Sequence, residues 1–175
     1  MAAADYKTID LLVLDVDGVL TDGRIILGPD GEETKVFNVR DGWGMRAWRR
    51  SGRTLAIITG RSSPAVAQRG DELGVEIVRQ GAKRKLPVYR QVLAELGVPA
   101  ERTAVMGDDL TDLPLMRASG LAIAPADAVD EVRQAADVVT ERGGGAGCVR
   151  ELIELILKAV GDWPAVTARY DDETL

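Results

Sequence analysis

Leu11-Leu12-Val13-Leu14-Asp15-Val16-Asp17-Gly18 begins as an unbroken aliphatic run and ends on two carboxylates and a glycine. Such a run, without polar alternation, reads as a strand buried on both faces, as in a parallel sheet covered by helices. The pattern recurs along the chain. Ala56-Ile57-Ile58 leads into Thr59-Gly60-Arg61, Val105-Met106 leads into Gly107-Asp108-Asp109, and Lys85 opens a helical pattern after Val75–Val78. Parallel strands of a doubly wound sheet share one carboxyl edge, and ligands bind there where strand order reverses. These polar groups, far apart in sequence, are therefore expected to meet in one crevice.

Working outward, Ile9–Leu14, Leu55–Ile58, Val75–Val78, Thr103–Met106, Leu121–Ala124 and Val138–Val139 are short, aliphatic and strand-like. Amphipathic segments separate them. Ser63 and Pro64 suit a helix start and Gly74 its end, while Lys85–Leu96 spaces Leu86, Tyr89, Leu93 and Leu96 helically before Gly97. Asp41–Arg50, Asp127–Ala136 and Val149–Val160 read as further helices. The alternation predicts an α/β fold, a Rossmann-like three-layer sandwich with a mostly parallel sheet. One departure is expected. Arg24–Leu27 and Thr34–Val39 flank Pro29-Asp30-Gly31, the signature of a β-hairpin after the first strand. Residues 1–161 are read as one domain and 162–175 as a loosely held C-terminal tail.

Composition agrees. Hydrophobic residues make up 46% but aromatics only 4%, so the core must be built mainly from Val, Ile, Leu and Ala. A formal net charge of −6 leaves no basic footprint for nucleic acid. With no histidine, neither a Ser-His-Asp triad nor a His-ligated zinc is possible, and acid–base work falls to carboxylates, Lys, Tyr or water. The lone Cys148 forms no intrachain disulfide and reads as a small hydrophobe. MAAADYK carries no apolar stretch like that of a signal peptide, and no run is long enough to span a bilayer, so a cytoplasmic protein is expected.

Several carboxylates at close quarters repel unless a counter-ion joins them. A hard cation such as Mg²⁺, bound through one or two carboxylates plus substrate phosphate, answers that need. A lysine and a threonine hydroxyl add donors for phosphate oxygens. Asp15 and Asp17, two apart, point the same way, and a turn at Gly18 lets both reach one substrate. Gly18 and Gly60 either permit close backbone approach or simply end their strands.

Asp15-Val16-Asp17-Gly18-Val19-Leu20-Thr21, Ile57-Ile58-Thr59-Gly60-Arg61, Lys85 and Gly107-Asp108-Asp109-Leu110-Thr111-Asp112 together resemble the four motifs of the haloacid dehalogenase superfamily, in order. With Phe37-Asn38-Val39-Arg40-Asp41-Gly42, the match resembles a narrower group. These are capless phosphatases of 3-deoxy-D-manno-octulosonate 8-phosphate, a step of lipopolysaccharide biosynthesis, and of related nine-carbon sugar acids. The resemblance implies that Asp15 is the nucleophile, forming an aspartyl-phosphate, and that Asp17 is the acid and base. It implies Mg²⁺ on the Asp15 and Asp108 carboxylates and the Asp17 backbone carbonyl. Thr59 and Lys85 would hold and neutralise phosphate, with Gly60 and Arg61 beside them, and Asp109 and Asp112 would orient the lysine or the metal's waters.

The same resemblance implies a homotetramer. Other members carry a cap domain, but here the hairpin and one helix use up the space before Leu55, so a neighbour would complete the pocket. Val36 and Phe37 are candidates for that assembly surface, with Phe37 equally suited to the core. Arg40, Arg61 and Arg84 are candidates for a sugar carboxylate. Gly143–Glu151 resembles the family's mobile tail, which closes over the substrate, or is a plain connector, and has Ala146 where the octulosonate phosphatases usually carry Arg. Alternatives are a nine-carbon sugar acid phosphate or another small phosphomonoester as substrate, or a non-catalytic regulatory homologue.

Overall fold

β1 (Leu11–Leu14) lies inside a six-stranded parallel sheet, between β4 (Thr54–Ile58) and β6 (Thr103–Met106). The computed structural model describes residues 6–170. Beyond β4 lies β5 (Ile77–Arg79), and beyond β6 lie β7 (Leu121–Ala124) and β8 (Val138–Val139). The order β5-β4-β1-β6-β7-β8 reverses direction at β1, which puts the switch point at the carboxyl end of that strand.

Strand alternation divides the core in two. Leu12, Leu14, Leu55, Ile57, Met106 and Ile123 face α1 (Val39–Arg50), α2 (Pro64–Leu73) and α6 (Cys148–Val160). Leu11, Val13, Ala56, Ile58, Val105 and Ala122 face α3 (Lys85–Leu96), α4 (Leu113–Met116) and α5 (Asp130–Ala135). The expected three-layer α/β sandwich with a hairpin is the observed one.

Boundaries differ where a polar side chain has other work. The hairpin pairs only β2 (Ile26–Leu27) with β3 (Glu33–Thr34), shorter than expected. After Thr34 the chain leaves the ladder, because Lys35 turns inward and Asn38 caps α1, its Oδ1 accepting from Arg40 N at 2.8 Å. The helix expected from Asp127 starts at Asp130, since the Asp127 carboxylate accepts from Gly144 N at 2.9 Å. Val75 belongs to the turn that closes α2, donating to Gly70 O at 2.9 Å past the left-handed Gly74, so β5 begins later than expected.

The expectation of a loose segment after Gly161 needs correction. Asp162 pairs with Arg53 at 2.7 Å, α7 (Trp163–Thr167) follows, and Val166 is buried. Trp163 meets Trp43 edge-on with centroids 5.7 Å apart, and Trp43 Nε1 donates to Tyr170 Oη at 2.9 Å. The Arg150 guanidinium lies over Trp43, 3.8 Å from its centroid. Trp163, packed on Trp43 of α1, and the buried Val166 give this stretch the apolar contact that docks it. The acidic end, 171–175, lies outside the described residues. Trp163→Ala should cost roughly 1–3 kcal/mol. A urea midpoint equal to that of the parent would show that the segment does not support the core.

Candidate active site

β1 carries Asp15 and Asp17 past the edge of the sheet. Asp15 N donates to Met106 O at 3.1 Å, extending the β1–β6 ladder by one residue. The chain then tightens. The backbone N–H groups of Val19, Leu20 and Thr21 all point at Val16 O, at 3.2, 2.9 and 3.0 Å. Gly18 takes φ +85°, and a Cβ there would lie 2.0 Å from Asp108 Oδ2. Glycine is thus required both by the backbone angle and by the Asp108 carboxylate pressed against it.

An open crevice of ≈ 340 Å³ lies over this edge, lined by Asp15, Asp17, Thr59, Gly60, Arg61, Lys85, Asp108 and Asp109, with Gly23 and Thr111. The four sequence-predicted groups do converge, and the volume suits a small phosphorylated ligand. Arg40 and Arg84 are exposed on the first turn of α1 and at the cap of α3, outside the lining. Asp112 lies beneath the crevice. Its Oδ1 accepts from Lys85 Nζ at 2.6 Å, and its Oδ2 faces the N–H groups of Asp108 and Asp109 at 3.3 and 3.4 Å. Asp109 instead caps its own turn, accepting from Leu110 N at 2.7 Å. Lys83 is exposed, whereas Lys85, at the first position of α3, is buried and reaches Asp15 Oδ2 at 2.9 Å.

The charges are crowded. Asp15, Asp108 and Asp112 each offer an oxygen within 4.8 Å of the others, against one lysine. Burial, then the charge of Asp112, push Asp15 up to about 6 despite Lys85. Burial and the charges of Asp15 and Asp112 push Asp108 up to about 7. Lys85 would be lowered by burial, but the Asp15 and Asp112 charges outweigh it and raise it, so it stays an ammonium.

Asp15 Oδ1 and Asp108 Oδ1 are buried with no hydrogen-bond partner. Orphaned carboxylate oxygens of this kind are costly unless a cation takes them. The donor set is all oxygen and hard, so it fits a divalent cation of the Mg²⁺ type, held by Asp15 and Asp108. Asp112, with both oxygens already engaged, serves Lys85 instead.

Two features were not foreseen. Lys35, with its side chain 2% exposed, reaches Asp17 Oδ1 at 2.5 Å and Glu33 at 3.4 Å. Arg61 bonds Glu33 at 2.7 Å, holding that carboxylate below its usual range, and stands 3.7 Å from Asp17 Oδ2. The available signal was period-two spacing, which puts Glu33, Lys35 and Phe37 on one side of an extended segment. The second feature is what the glycine run packs against. Gly145 N donates to Val19 O at 3.0 Å, and a Cβ on Gly144 would lie 2.0 Å from Gly18 O. Asn38 Nδ2 donates to Gly145 O at 3.0 Å, and the buried Asp41 accepts from Arg150 N at 2.7 Å in the first turn of α6. The run therefore packs beneath the Asp17–Asp22 turn and supports it, leaving only Ala146 exposed at its apex.

Residues 74–152 match the family model for haloacid dehalogenase-like hydrolases. The 3-deoxy-D-manno-octulosonate 8-phosphate phosphatase KdsC of Escherichia coli K12 is 46% identical over 158 residues, covering 90% of this chain and 84% of the relative. The chain belongs to the haloacid dehalogenase-like hydrolases. Among solved members of the family, the Moraxella catarrhalis octulosonate phosphatase, in complex with a magnesium ion, a phosphate ion and KDO, superposes with a TM-score of 0.91. It is 43% identical and covers 94% of this chain and 95% of its own. The cobalt-bound Haemophilus influenzae phosphatase YrbI gives 0.89 at 38% identity, covering 94% of this chain and 96% of its own. In this haloacid dehalogenase-like chain the segment between β1 and β4 holds only the hairpin and α1, and that between β4 and β6 only α2, β5 and α3 with a 3₁₀ turn, so neither holds a cap domain.

The raised carboxylates set a pH dependence. Folded Asp15 and Asp108 bind protons more tightly than at their unfolded value of 3.8. Stability of the metal-free protein should therefore fall as pH rises through about 4 to 7. A bound divalent cation removes that penalty by competing with the protons. Saturating Mg²⁺ should raise the thermal midpoint more at about pH 8 than at about pH 5. An equal shift at both values would contradict ligation by these carboxylates.

Proposed function

We propose that this hydrolase cleaves 3-deoxy-D-manno-octulosonate 8-phosphate through an aspartyl-phosphate on Asp15. The observation that carries the reading is the buried Asp15 carboxylate, one oxygen on Lys85 and the other without a partner, at the floor of an open crevice. The similarity to octulosonate phosphatases over most of both chains supports the substrate.

When bound by Asp15, Asp108 and the Asp17 backbone carbonyl, Mg²⁺ supplies the positive charge that lets a phosphate dianion approach these carboxylates. Asp15 attacks phosphorus, and the bond from phosphorus to the sugar oxygen breaks. Asp17 gives that oxygen its proton, then takes one from the water that hydrolyses the acyl phosphate, regenerating Asp15 and releasing phosphate. Thr59 and the N–H groups beside Gly60 hold phosphate oxygens. Lys85, kept charged by Asp112, neutralises charge that develops during transfer. Arg61, 48% exposed and lining the crevice, is suited to a sugar carboxylate, while Arg40 is suited to one only through a neighbouring subunit. Asp109 orients water at the rim.

The hairpin supports the assembly reading. Ile25, Ile26, Leu27, Val36 and Val39 are all exposed, while Phe37 packs partly into the core. An apolar surface of that kind is suited to pair with copies of itself, giving a homotetramer in which a neighbour finishes the crevice. No described helix is long and apolar enough to cross a membrane. Ala146, exposed where the octulosonate phosphatases usually carry Arg, favours a second reading with another sugar acid, such as a nine-carbon one.

Asp15→Asn should lower phosphate release from the octulosonate phosphate by at least about a thousandfold while keeping the fold. Parent-like release by the purified variant would remove Asp15 as nucleophile. Lys85→Ala should lower turnover by about a hundredfold or more, whereas the exposed Lys83→Ala should change little. The reverse order would misassign the lysine. Analytical ultracentrifugation should find a species of about four chain masses, and an active monomer would refute the assembly.

A further inference from the structure

We infer that Lys35 is a positioning residue that aims the Asp17 carboxylate at the leaving oxygen, which makes the segment that leaves the hairpin part of the acid machinery of its own subunit. The inference rests on the assignment of Asp17 as acid and base. Its basis is geometric. Asp17 Oδ1 is held by Lys35 Nζ at 2.5 Å, and Arg61 Nε, 3.7 Å from Oδ2, is too far for a hydrogen bond. Lys35 is thus the one donor described for the Asp17 side chain. It anchors one oxygen and leaves the other, on the Arg61 side, free to exchange a proton within the crevice.

The lysine is an expensive choice for mere attachment. Its side chain is 2% exposed, and an ammonium taken out of water costs several kcal/mol unless it is well paired. Phe37, two residues on and packed against the core, already ties this segment down by apolar contact. Glu33 completes the arrangement. It accepts from Lys35 at 3.4 Å and Arg61 at 2.7 Å, so the two cations around Asp17 are braced by a single carboxylate with its side chain 12% exposed. In the chain Asp17–Lys35–Glu33–Arg61, Asp17 and Arg61 line the crevice while Lys35 and Glu33 brace them from outside the lining. Its charged members come from β3 and the residue after it, from the turn after β1 and from the loop after β4.

A residue that aims the acid should matter in proportion to how badly the leaving group needs a proton. A sugar alkoxide needs one, and p-nitrophenolate hardly does. Lys35→Met keeps the length of the side chain without its charge. It should lower kcat on the octulosonate phosphate by about 10–100-fold, part of the usual general-acid contribution, and lower it much less on p-nitrophenyl phosphate. KM for the aryl substrate should move little, and Lys35→Arg should recover part of the loss. In an Asp17→Asn background Lys35→Met should add almost nothing. Glu33→Gln, which loosens the lysine without exposing a buried charge, should show a smaller selective loss and guards against a Lys35→Met chain that fails to fold. Equal losses on both substrates, no loss on either, or a full additional loss in the Asp17→Asn background would overturn the inference. Asp17→Asn alone separates the two levels of the argument. If it does not discriminate between the substrates, the acid assignment itself falls. If it does while both Lys35→Met and Glu33→Gln do not, only the role of Lys35 falls.

Discussion

Three carboxylates share one small volume with a single lysine, and the rest of the site follows from the need to keep them there. Asp15, Asp108 and Asp112 would separate if their backbone were free to move, because like charges in a half-dry crevice repel strongly. They are held by main chain. Asp15 continues the β1–β6 ladder, Asp108 is trapped against Gly18, and Asp112 is fixed by N–H groups at the start of its own turn. Lys85, at the head of α3, neutralises part of the charge, and the two orphaned oxygens leave a defined place for a divalent cation. Electrostatic strain in the metal-free protein is thereby converted into affinity for metal and phosphate.

A supporting layer keeps that arrangement rigid. The Gly143–Gly147 run, bound by Asn38, Asp127 and the Val19 carbonyl, fills the space beneath the turn that follows Asp17. Side chains are excluded there by backbone atoms close to Gly144 and Gly145, which is why small residues recur. Asp41 ties the same region to α6, and Arg150, in the first turn of that helix, is covered by Trp43 and Trp163. The C-terminal segment is linked in this way to the floor of the crevice through packed side chains.

Much of this was legible in the residues. The aliphatic runs, the helix ends at Gly74 and Gly97 and the polar groups after each strand all follow from local rules of burial, backbone angle and capping. Local rules failed where one side chain had a distant partner. Asp127 leaves its helix to receive Gly144, and Lys35 leaves its ladder for Asp17. Trp163 reads as part of a polar end until Trp43, in α1, is seen beside it. Each partner lies far off in sequence, beyond the reach of periodicity.

By itself, the sequence determined the α/β architecture, the crevice at the end of β1 and the cluster of acids and lysine that identifies its chemistry. These rest on residue type and spacing, which a linear chain displays directly. Only the tertiary structure decided that Asp112 rather than Asp109 serves Lys85, that Arg61 but not Arg40 reaches the crevice, and that a lysine just past the hairpin grips Asp17. Those distinctions depend on distances of a few ångströms between segments brought together by the sheet, and charge interactions in a partly dry site change sharply over such distances.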